Sequence, residues 1–323
     1  MNIVLCFPIE DSQIKQIQEA APSAAIINAG QEGISSAILQ ADIFCGHAKV
    51  PVPWDDVVRQ GRLKWIQSSA AGLDHCLVPP VIASDIPVTS ASGLFANQVA
   101  EQTMALLYGV VRSIPVFARA TAAKEFIRRP TDDLHGKTIG IVGFGGNGKR
   151  IAECLAPLGN RMIATDYWQR PCPEYIDEMW TSDKLPQLLQ QSDVVILAVP
   201  LNDQTYYLMG AQQFAQMKKG SYLINVARGP VVDESALIAV LQSGHLRGAG
   251  LDVTEIEPLP ESSPLWEMPN VMITPHVGAQ SAQRVPDTVD FFCENLRRFQ
   301  QGQTLMNLVE KPLGFPKPLT VEV

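Results

Sequence analysis

The stretch KTIGIVGFGGNGKRIAECLAPLGNRMIATD, residues 137–166, decides the fold. Its apolar run at 137–143 predicts a β-strand, the pattern at 147–158 predicts a helix, and the run at 161–166 predicts a second strand. The glycines between the first strand and the helix match the GxGxxG pattern, and an aspartate ends the second strand 18 residues beyond the last glycine. Because this order and a spacing of about 20 residues are typical of a βαβ unit that binds a dinucleotide, the stretch predicts a coenzyme-binding turn.

Each glycine of this turn has its own predicted role. Gly143 permits a tight turn, Gly145 lets the backbone approach the pyrophosphate, and Gly148 allows the helix to pack closely on the strand. The start of the helix would then direct free N–H groups at the phosphates. Asp166 would accept hydrogen bonds from the adenine ribose and repel a 2′-phosphate, which favours NAD over NADP, although Arg170 weakens that preference. The residues predicted here to bind the coenzyme are Gly143, Gly145, Gly146, Asn147, Gly148 and Asp166.

Short apolar runs alternate with helical patterns along the chain, which is typical of parallel sheets covered by helices on both faces. A helical pattern at 97–117 separates two such series, and a last helical pattern occupies 280–301. If this last helix returns to the first series, the first domain is discontinuous. The sequence therefore predicts an α/β protein with two doubly wound parallel-sheet domains, residues 1–98 with 285–323 and residues 99–284. The predicted strands are 2–6, 24–28, 42–46, 63–67, 86–90, 137–143, 161–166, 192–200, 220–227, 247–253 and 271–275.

The composition indicates a globular protein without a polyanionic partner. The 323 residues are 46% hydrophobic and 18% charged, and 25 basic against 33 acidic residues give a net charge of −8. This charge argues against binding to nucleic acid or to an anionic membrane. The six cysteines form no CxxC pair and no zinc-ligand spacing, so we expect no metal site and a reducing compartment. The N-terminus is unlike a secretory signal and no apolar run is long enough to span a membrane, so we expect a cytoplasmic protein.

Three segments of the second series carry side chains suited to catalysis. They are NVARGPVVDESAL at 225–237, GAGLDVTEIEPLP at 248–260 and NVMITPHVGAQS at 270–281. Because ligands of open α/β sheets bind at the carboxyl ends of strands, Arg228, Glu257 and His276 are expected to converge. The guanidinium suits a carboxylate, the imidazole can exchange a proton near neutral pH, and the glutamate beside it would hold the ring and favour its charged form. Together with a bound nicotinamide, these groups suit hydride transfer to the carbonyl of a 2-oxo acid.

Taken singly, each of these three side chains also fits an ordinary loop residue. An arginine after a strand is commonly a surface charge, a glutamate before a proline commonly lies in a loop, and a loop histidine can cap a backbone group. The functional interpretation therefore depends on their occurring together, after a dinucleotide motif, at consecutive strand ends.

These motifs, in this order, resemble those of the D-isomer-specific 2-hydroxyacid dehydrogenases. The resemblance extends from SSAAGLD and VAEQTMALL through LHGKTIGIVGFGGNG, SDVVILAVPLNDQT, MKKGSYLINVARGPVVDESAL and GAGLDVTEIEPLP to ITPHVGA. It implies that Arg228 binds the carboxyl and carbonyl groups of the substrate. It also implies that Glu257 pairs with His276, which is the acid/base.

The resemblance implies further contacts and an architecture. The backbone of Ala71 and Gly72 would hold the substrate carboxylate from the first domain, and Asp252 would face the nicotinamide carboxamide. A Rossmann coenzyme domain would be inserted into a flavodoxin-like substrate domain, with hinge closure over the cleft and a homodimer formed around the coenzyme domain. The further residues predicted to bind the coenzyme are Pro200, Thr205, Val226 and Asp252.

Three positions depart from the family's pattern. Asn147 stands where Ile or Val is usual, which would loosen the packing at the start of the helix. Ala198 stands where His is frequent, which would change contacts with the coenzyme. Phe95 stands where some members have Asn, which predicts a more apolar or differently shaped substrate pocket.

The sequence leaves the substrate and one other function open. Glyoxylate, hydroxypyruvate and phosphohydroxypyruvate all fit, although only Lys49 in the loop GHAKVPVP offers a cation for a phosphate. Formate dehydrogenases have Gln where this chain has Glu257, so that activity is disfavoured, whereas phosphite dehydrogenase activity stays open. An NAD-sensing corepressor-like binding protein would keep the same three side chains, and it would differ in lacking robust turnover of a 2-oxo acid.

Overall fold

The computed structural model describes residues 1–317, which divide into two compact units. The first unit comprises Met1–Leu94 and the segment that begins at Ser281, and the second comprises Phe95–Gln280. Each boundary lies four residues before the predicted one. Residues 318–323, which end the predicted first domain, lie outside the described residues.

Strands and helices alternate in both units. The strands are β1 (Asn2–Cys6), β2 (Ala25–Asn28), β3 (Ile43–Gly46), β4 (Trp65–Ser68), β5 (Val88–Thr89), β6 (Thr138–Val142), β7 (Arg161–Asp166), β8 (Glu178–Thr181), β9 (Val194–Leu197), β10 (Ser221–Asn225), β11 (Leu246–Leu251), β12 (Val271–Ile273), β13 (Val309–Glu310) and β14 (Phe315–Pro316). The α-helices are α1 (Asp11–Ala20), α2 (Gly30–Ala37), α3 (Trp54–Gln60), α4 (Pro79–Ala83), α5 (Ala96–Val111), α6 (Ile114–Ala122), α7 (Gly146–Leu155), α8 (Leu185–Gln191), α9 (Ala211–Gln216), α10 (Glu234–Gln242) and α11 (Arg284–Gln300).

The first unit is built around a five-stranded parallel sheet in the order β2-β1-β3-β4-β5. This is the strand order of flavodoxin-like folds, which confirms the predicted fold class. Ile3, Val4 and Leu5 are all fully buried, because helices cover both faces of the sheet. The last helix, α11, packs against α1, and its residue Phe292 contacts Trp65 of the sheet with 5.4 Å between ring centroids. The C-terminal helix thus belongs to the first unit, which is discontinuous in sequence.

The second unit contains a seven-stranded parallel sheet in the order β12-β11-β10-β9-β6-β7-β8. With β6 counted as the first strand, this is the 3-2-1-4-5-6 order of dinucleotide-binding folds, extended by β12 at one edge. The direction of strand addition reverses between β6 and β9. In such sheets, ligands bind outside the carboxyl ends of the strands at that reversal. We call this side of the second sheet the carboxyl edge.

Two elements of the second unit differ from the prediction, and the predicted strands also lack β13 and β14. The helix predicted at 97–117 is interrupted, because Ser113 adopts a left-handed conformation with φ of 57° and α6 starts anew at Ile114. In a continuous helix the ring of Pro115 would clash with the carbonyl of Val111, and Pro115 could not donate to it. Strand β8 was not predicted, because it pairs with β7 alone at the sheet edge and its sequence EMWT, with every residue only partly buried, has no apolar run.

A membrane crossing would need a longer and more apolar helix than any found in residues 1–317. The same residues contain no group of three or more His, Cys, Asp or Glu side chains that could bind a metal ion. The six cysteines are thiols, and Cys6, Cys45, Cys76 and Cys293 are buried.

Candidate active site

The glycine turn between β6 and α7 combines two glycines that the fold requires with one that it does not. A Cβ atom on Gly143, whose φ is +93°, would lie 2.7 Å from the carbonyl oxygen of Ala198, and one on Gly148 would lie 2.0 Å from the carbonyl oxygen of Gly143. Gly145 differs, because its φ of −72° suits any residue and a Cβ atom there would meet nothing within 4 Å. The exposed backbone at Gly145 and Gly146 therefore leaves an open cradle at the start of α7, which fits a phosphate group.

Asp166 lies at the carboxyl end of β7, where it also holds the glycine turn. Its Oδ2 accepts the backbone N–H of Phe144 at 2.8 Å, and its Oδ1 accepts that of Trp168 at 2.9 Å. The Nε atom of Arg170 is 3.2 Å from Oδ2. Since each carboxylate oxygen has two lone pairs, Asp166 can still accept hydrogen bonds from a sugar hydroxyl. The cradle and this acid together fit a dinucleotide coenzyme.

The other residues predicted to bind the coenzyme follow the neighbouring strands. Pro200 and Thr205 lie in the loop after β9, and the Thr205 hydroxyl donates to the carbonyl of Pro200 at 2.6 Å and accepts the backbone N–H of Asn202 at 2.9 Å. The Thr205 side chain therefore stabilises the conformation of its own loop. Val226 directly follows β10 and its backbone N–H donates to the carbonyl of Leu197 at 3.3 Å. All three stand at the carboxyl edge, and their contacts with a coenzyme remain predictions.

The structure brings Glu257 and His276 into direct contact. They follow β11 and β12, which are neighbours in the sheet, and the Nδ1 atom of His276 donates to Oε2 of Glu257 at 2.8 Å. Burial opposes the ionisation of Glu257, but the hydrogen bond and the charge of His276, helped by the charge of Arg228, outweigh it and lower the pKa of Glu257. The glutamate is therefore an anion at neutral pH. Both side chains are about two-fifths exposed, at 43% for His276 and 40% for Glu257, so a small molecule can reach them.

Arg228 follows β10, the next strand in the sheet, in a loop that is tightly constrained. Its Nη1 atom donates to the carbonyl of Ala227 at 2.8 Å. The buried side chain of Asn225 closes the loop, because it accepts the N–H of Ala227 at 3.0 Å and donates to the carbonyl of Arg228 at 3.1 Å. A Cβ atom at Gly229 would lie 1.7 Å from the carbonyl oxygen of Thr254, so only glycine lets this loop touch the loop that carries the glutamate.

Asp252, predicted to face the nicotinamide, directly follows β11 and holds the neighbouring loop that carries His276. Its buried carboxylate accepts the Thr274 hydroxyl at 2.7 Å and the backbone N–H groups of Val277 at 3.0 Å and Gly278 at 2.8 Å. The carbonyl of Asp252 accepts the N–H of His276 at 2.7 Å. These bonds hold His276 at a φ of 55°, which is disfavoured for a residue with a Cβ atom and is typical of functional sites.

Two residues of this loop network were not identified from the sequence. Gln102 of α5 donates from Nε2 to the Thr274 hydroxyl at 2.8 Å, and this hydroxyl in turn donates to the carboxylate of Asp252. Gln102 lies in the motif VAEQTMALL and Thr274 lies in ITPHVGA, so membership in these motifs was the only sequence signal that could have identified them. Spacing alone could not reveal a contact between residues 172 positions apart.

Ala71 and Gly72, predicted to bind the substrate carboxylate, belong to the first unit. They follow β4 in a loop that the Ser68 hydroxyl shapes, since it donates to the carbonyl of Ala70 and accepts its N–H, both at 3.0 Å. Ala71 is exposed. The binding role of this loop remains a prediction.

Comparison with known proteins identifies the family that this chain resembles. Residues 104–278 match the family model of the D-isomer specific 2-hydroxyacid dehydrogenase NAD-binding domain. Glyoxylate/hydroxypyruvate reductase B of Escherichia fergusonii is 32% identical over 320 residues, which cover 95% of this chain and 97% of that protein. D-3-phosphoglycerate dehydrogenase of Methanocaldococcus jannaschii is 30% identical over 319 residues, which cover 97% of this chain but 60% of that protein.

A solved structure has the same fold. The D-isomer specific 2-hydroxyacid dehydrogenase of Xanthobacter autotrophicus Py2, in complex with NADPH and MES, is similar with a TM-score of 0.83 at 30% identity, covering 97% of this chain and 99% of that chain. The matched domain contains the glycine turn and the loops of Arg228, Glu257 and His276. The chain therefore belongs to the D-isomer-specific 2-hydroxyacid dehydrogenases, oxidoreductases that use an NAD(P) coenzyme and act on the CH–OH group of a 2-hydroxy acid.

Proposed function

We propose that this chain is an NAD-dependent dehydrogenase that interconverts a small 2-oxo acid, of the glyoxylate or hydroxypyruvate type, with its D-2-hydroxy acid. The observation that carries the proposal is the 2.8 Å hydrogen bond from His276 to Glu257, at the edge that also carries Arg228 and the glycine turn. A proton donor with an anionic partner, a cation for the carboxylate and a coenzyme cradle meet the needs of this reaction.

The proposed roles follow from which atoms are engaged. Because Nδ1 of His276 donates to Glu257, the other ring nitrogen, Nε2, is the one that faces a substrate. In reduction Nε2–H gives a proton to the carbonyl oxygen, and in oxidation Nε2 takes it from the hydroxyl. Glu257 stabilises the charged ring between these steps, and Arg228 binds the carboxylate of the acid. The nicotinamide, when bound, supplies or accepts the hydride.

The substrate class is proposed from similarity and from the first unit. A relative that is 32% identical is named a glyoxylate/hydroxypyruvate reductase, and the phosphoglycerate dehydrogenase is 30% identical. In the loop GHAKVPVP after β3, Lys49 is the one basic residue besides His47. A substrate without a phosphate group is therefore favoured. We propose that Ala71 and Gly72 help to bind its carboxylate.

We propose NAD as the preferred coenzyme. The Asp166 carboxylate stands where a 2′-phosphate would approach the end of β7, and like charges repel. Arg170, 3.2 Å from Asp166, offsets part of this negative charge. The preference for NADH should therefore be moderate, with measurable use of NADPH.

We propose a homodimer, formed through the second unit. Three apolar side chains of α6 and the segment after it are exposed, namely Phe126 at 90%, Ile114 at 48% and Ile127 at 42%. Exposed apolar side chains that an oligomer would cover are a feature of protein interfaces. A molar mass from light scattering that equals one chain would contradict this.

The proposed function is tested by a substrate panel. The purified chain is assayed with glyoxylate, hydroxypyruvate and phosphohydroxypyruvate, each with NADH and with NADPH, by the loss of reduced coenzyme. We expect the fastest turnover with an unphosphorylated acid and NADH. R228A should lose most of this turnover and keep NADH binding, while R247A, at the amino end of β11, should match the wild type.

Two outcomes would contradict the proposal. Preference for phosphohydroxypyruvate would overturn the substrate class. NADH binding without turnover of any 2-oxo acid would overturn the catalytic role, and it would favour a coenzyme-sensing binding protein.

A further inference from the structure

Two loops and the start of α10, all at the carboxyl edge, are joined by Tyr207, Glu234 and Glu255, a cluster that we call the clamp. The Tyr207 hydroxyl donates to Oε1 of Glu255. Oε2 of Glu255 accepts the backbone N–H of Glu234 at 3.1 Å, and Oε2 of Glu234 accepts the backbone N–H of Glu255 at 3.1 Å. The three residues follow β9, β10 and β11 respectively, so the clamp links segments that are distant in the sequence.

The clamp ties together the loops that carry the proposed site. Glu234 lies six residues after Arg228, and Glu255 lies two residues before Glu257. The tyrosine stands in the loop that is expected to bind the coenzyme. Displacing any of the three side chains would therefore allow the catalytic loops to move relative to one another and to the coenzyme loop.

The backbone of Tyr207 indicates that its position is imposed by these contacts. Its φ is 50°, a left-handed conformation that is disfavoured for a residue with a Cβ atom. Its N–H donates to the carbonyl of Pro230 at 2.9 Å, and the N–H of Met209 donates to that of Val231 at 3.0 Å. Disfavoured conformations persist where the surroundings hold them, and they concentrate at functional sites.

The charges of the clamp agree with a role other than stability. Burial, together with the charge of Glu255, raises the pKa of Glu234, because two carboxylates lie close together. The hydrogen bond to Glu255 raises the pKa of Tyr207, so the phenol keeps its proton and remains a donor at neutral pH. Two neighbouring carboxylates repel each other, and here each also accepts the backbone N–H of the other residue.

We propose that Tyr207, Glu234 and Glu255 are positioning residues, which hold the Arg228 and Glu257 loops in register with the coenzyme loop. This inference rests on the proposed function. It adds that the rate of turnover depends on three side chains that need not touch the substrate or the reacting atoms. Coenzyme affinity should fall less than the rate of turnover, because the phosphate cradle is formed by the separate glycine turn.

The test is a kinetic double-mutant cycle on the full-length chain. E255A should lower kcat/KM for the preferred 2-oxo acid about tenfold and Y207F about threefold, as for loss of hydrogen bonds to a charged group. The Y207F/E255A variant should be no slower than E255A, since both changes remove one contact. E234Q should stay near the wild type because its amide oxygen still accepts the N–H of Glu255, whereas E234A should resemble E255A.

Controls and a second readout separate the clamp from general loss of structure. Y108F and E261A remove a hydroxyl and a carboxylate from exposed residues of the same unit, and both should match the wild type. NADH affinity by calorimetry and the melting temperature should change little in Y207F. Amide hydrogen exchange at Tyr207 and Glu255 should become faster in the same variant.

The possible failures are distinguishable. If the wild type reduces no 2-oxo acid, the proposed function fails, and the exchange measurement still tests the clamp. If the wild type is active and Y207F and E255A match it, the clamp is wrong. The clamp would also be wrong if the losses of kcat/KM in Y207F and E255A multiply in the double variant. The same holds if a lower melting temperature accounts for the loss of kcat/KM in E255A.

Discussion

The glycine turn and the catalytic loops lie at the same sheet edge, yet they are held in different ways. In the turn, the absence of side chains decides the shape, since Gly148 packs against the carbonyl of Gly143 and Gly143 against that of Ala198. In the catalytic loops, hydrogen bonds from side chains hold the backbone, as between the Asp252 carboxylate and the N–H of Gly278. A substitution in the turn should thus act locally on folding or coenzyme binding, whereas one in the loops should act on turnover.

The largest effect expected is that of H276A on turnover. Loss of a general acid lowers rates by roughly 10²–10⁴-fold, so kcat should fall by about that factor. NADH should bind as before, because the turn does not depend on this side chain. Steady-state rates and calorimetry with NADH measure the two quantities.

H135A is the matched control for this variant. Its ring contacts only the carbonyl of Leu158 among the bonds described for it, before the amino end of β6. Its kcat should equal that of the wild type. Unchanged kcat in H276A would remove His276 from the mechanism.

Two glycine variants test the difference between required and permissive positions within the turn. G148A places a Cβ atom 2.0 Å from a carbonyl oxygen, so the free energy of unfolding should fall by about 1–3 kcal/mol, as for overpacking. G145A places its Cβ atom in open space, so stability should be unchanged while NADH binds more weakly. Urea unfolding and calorimetry distinguish them, and equal stability losses would contradict the assignment.

A smaller effect is expected from replacing Asp166, which contacts the glycine turn and is predicted to set the preference for NADH over NADPH. Replacing Asp166 by Ala removes a charge that repels a 2′-phosphate, so the ratio of kcat/KM for NADH to that for NADPH should narrow by about tenfold, the equivalent of about 1.4 kcal/mol. D177A, which changes another aspartate of the same unit, is a suitable control. An unaltered ratio would count against the predicted ribose contact.

The smallest effect concerns stability in acid. The lowered pKa of Glu257 means that its pairing stabilises the folded state above the ordinary carboxyl pKa and that this contribution is lost as the pH falls through the lowered value. The difference in unfolding free energy between the wild type and E257Q should therefore shrink towards strongly acidic pH. Since both partners are about two-fifths exposed, the difference should stay below about 1 kcal/mol. A difference that is constant with pH would contradict this.

The sequence predicted most of the fold because its signals are local. Buried parallel strands such as Ile3–Leu5 stand out as apolar runs, and the turn is specified by glycines within six positions. Strand β8, which was not predicted, is a partly buried edge strand and contains no apolar run. The break before α6 carried a usable signal in Pro115, which the helical periodicity of the flanking residues concealed.

The site was predictable by residue type but not by contact. Strand order places Arg228, Glu257 and His276 at one edge. The network that holds the His276 loop, however, is formed by Gln102, Thr274 and the Asp252 carboxylate, through pairings that no spacing rule contains. Such contacts depend on the packing of α5 against β12 and arise only in the folded chain.

The most direct test of the proposed chemistry is a cycle of E257Q, H276A and their combination, measured as kcat/KM for the preferred 2-oxo acid with NADH. If Glu257 acts through the ring it holds, E257Q should lower the value about tenfold in the wild type and leave the residual activity of H276A unchanged. An equal loss in both backgrounds would show that the two side chains act independently, and it would contradict their assignment as one acid/base pair.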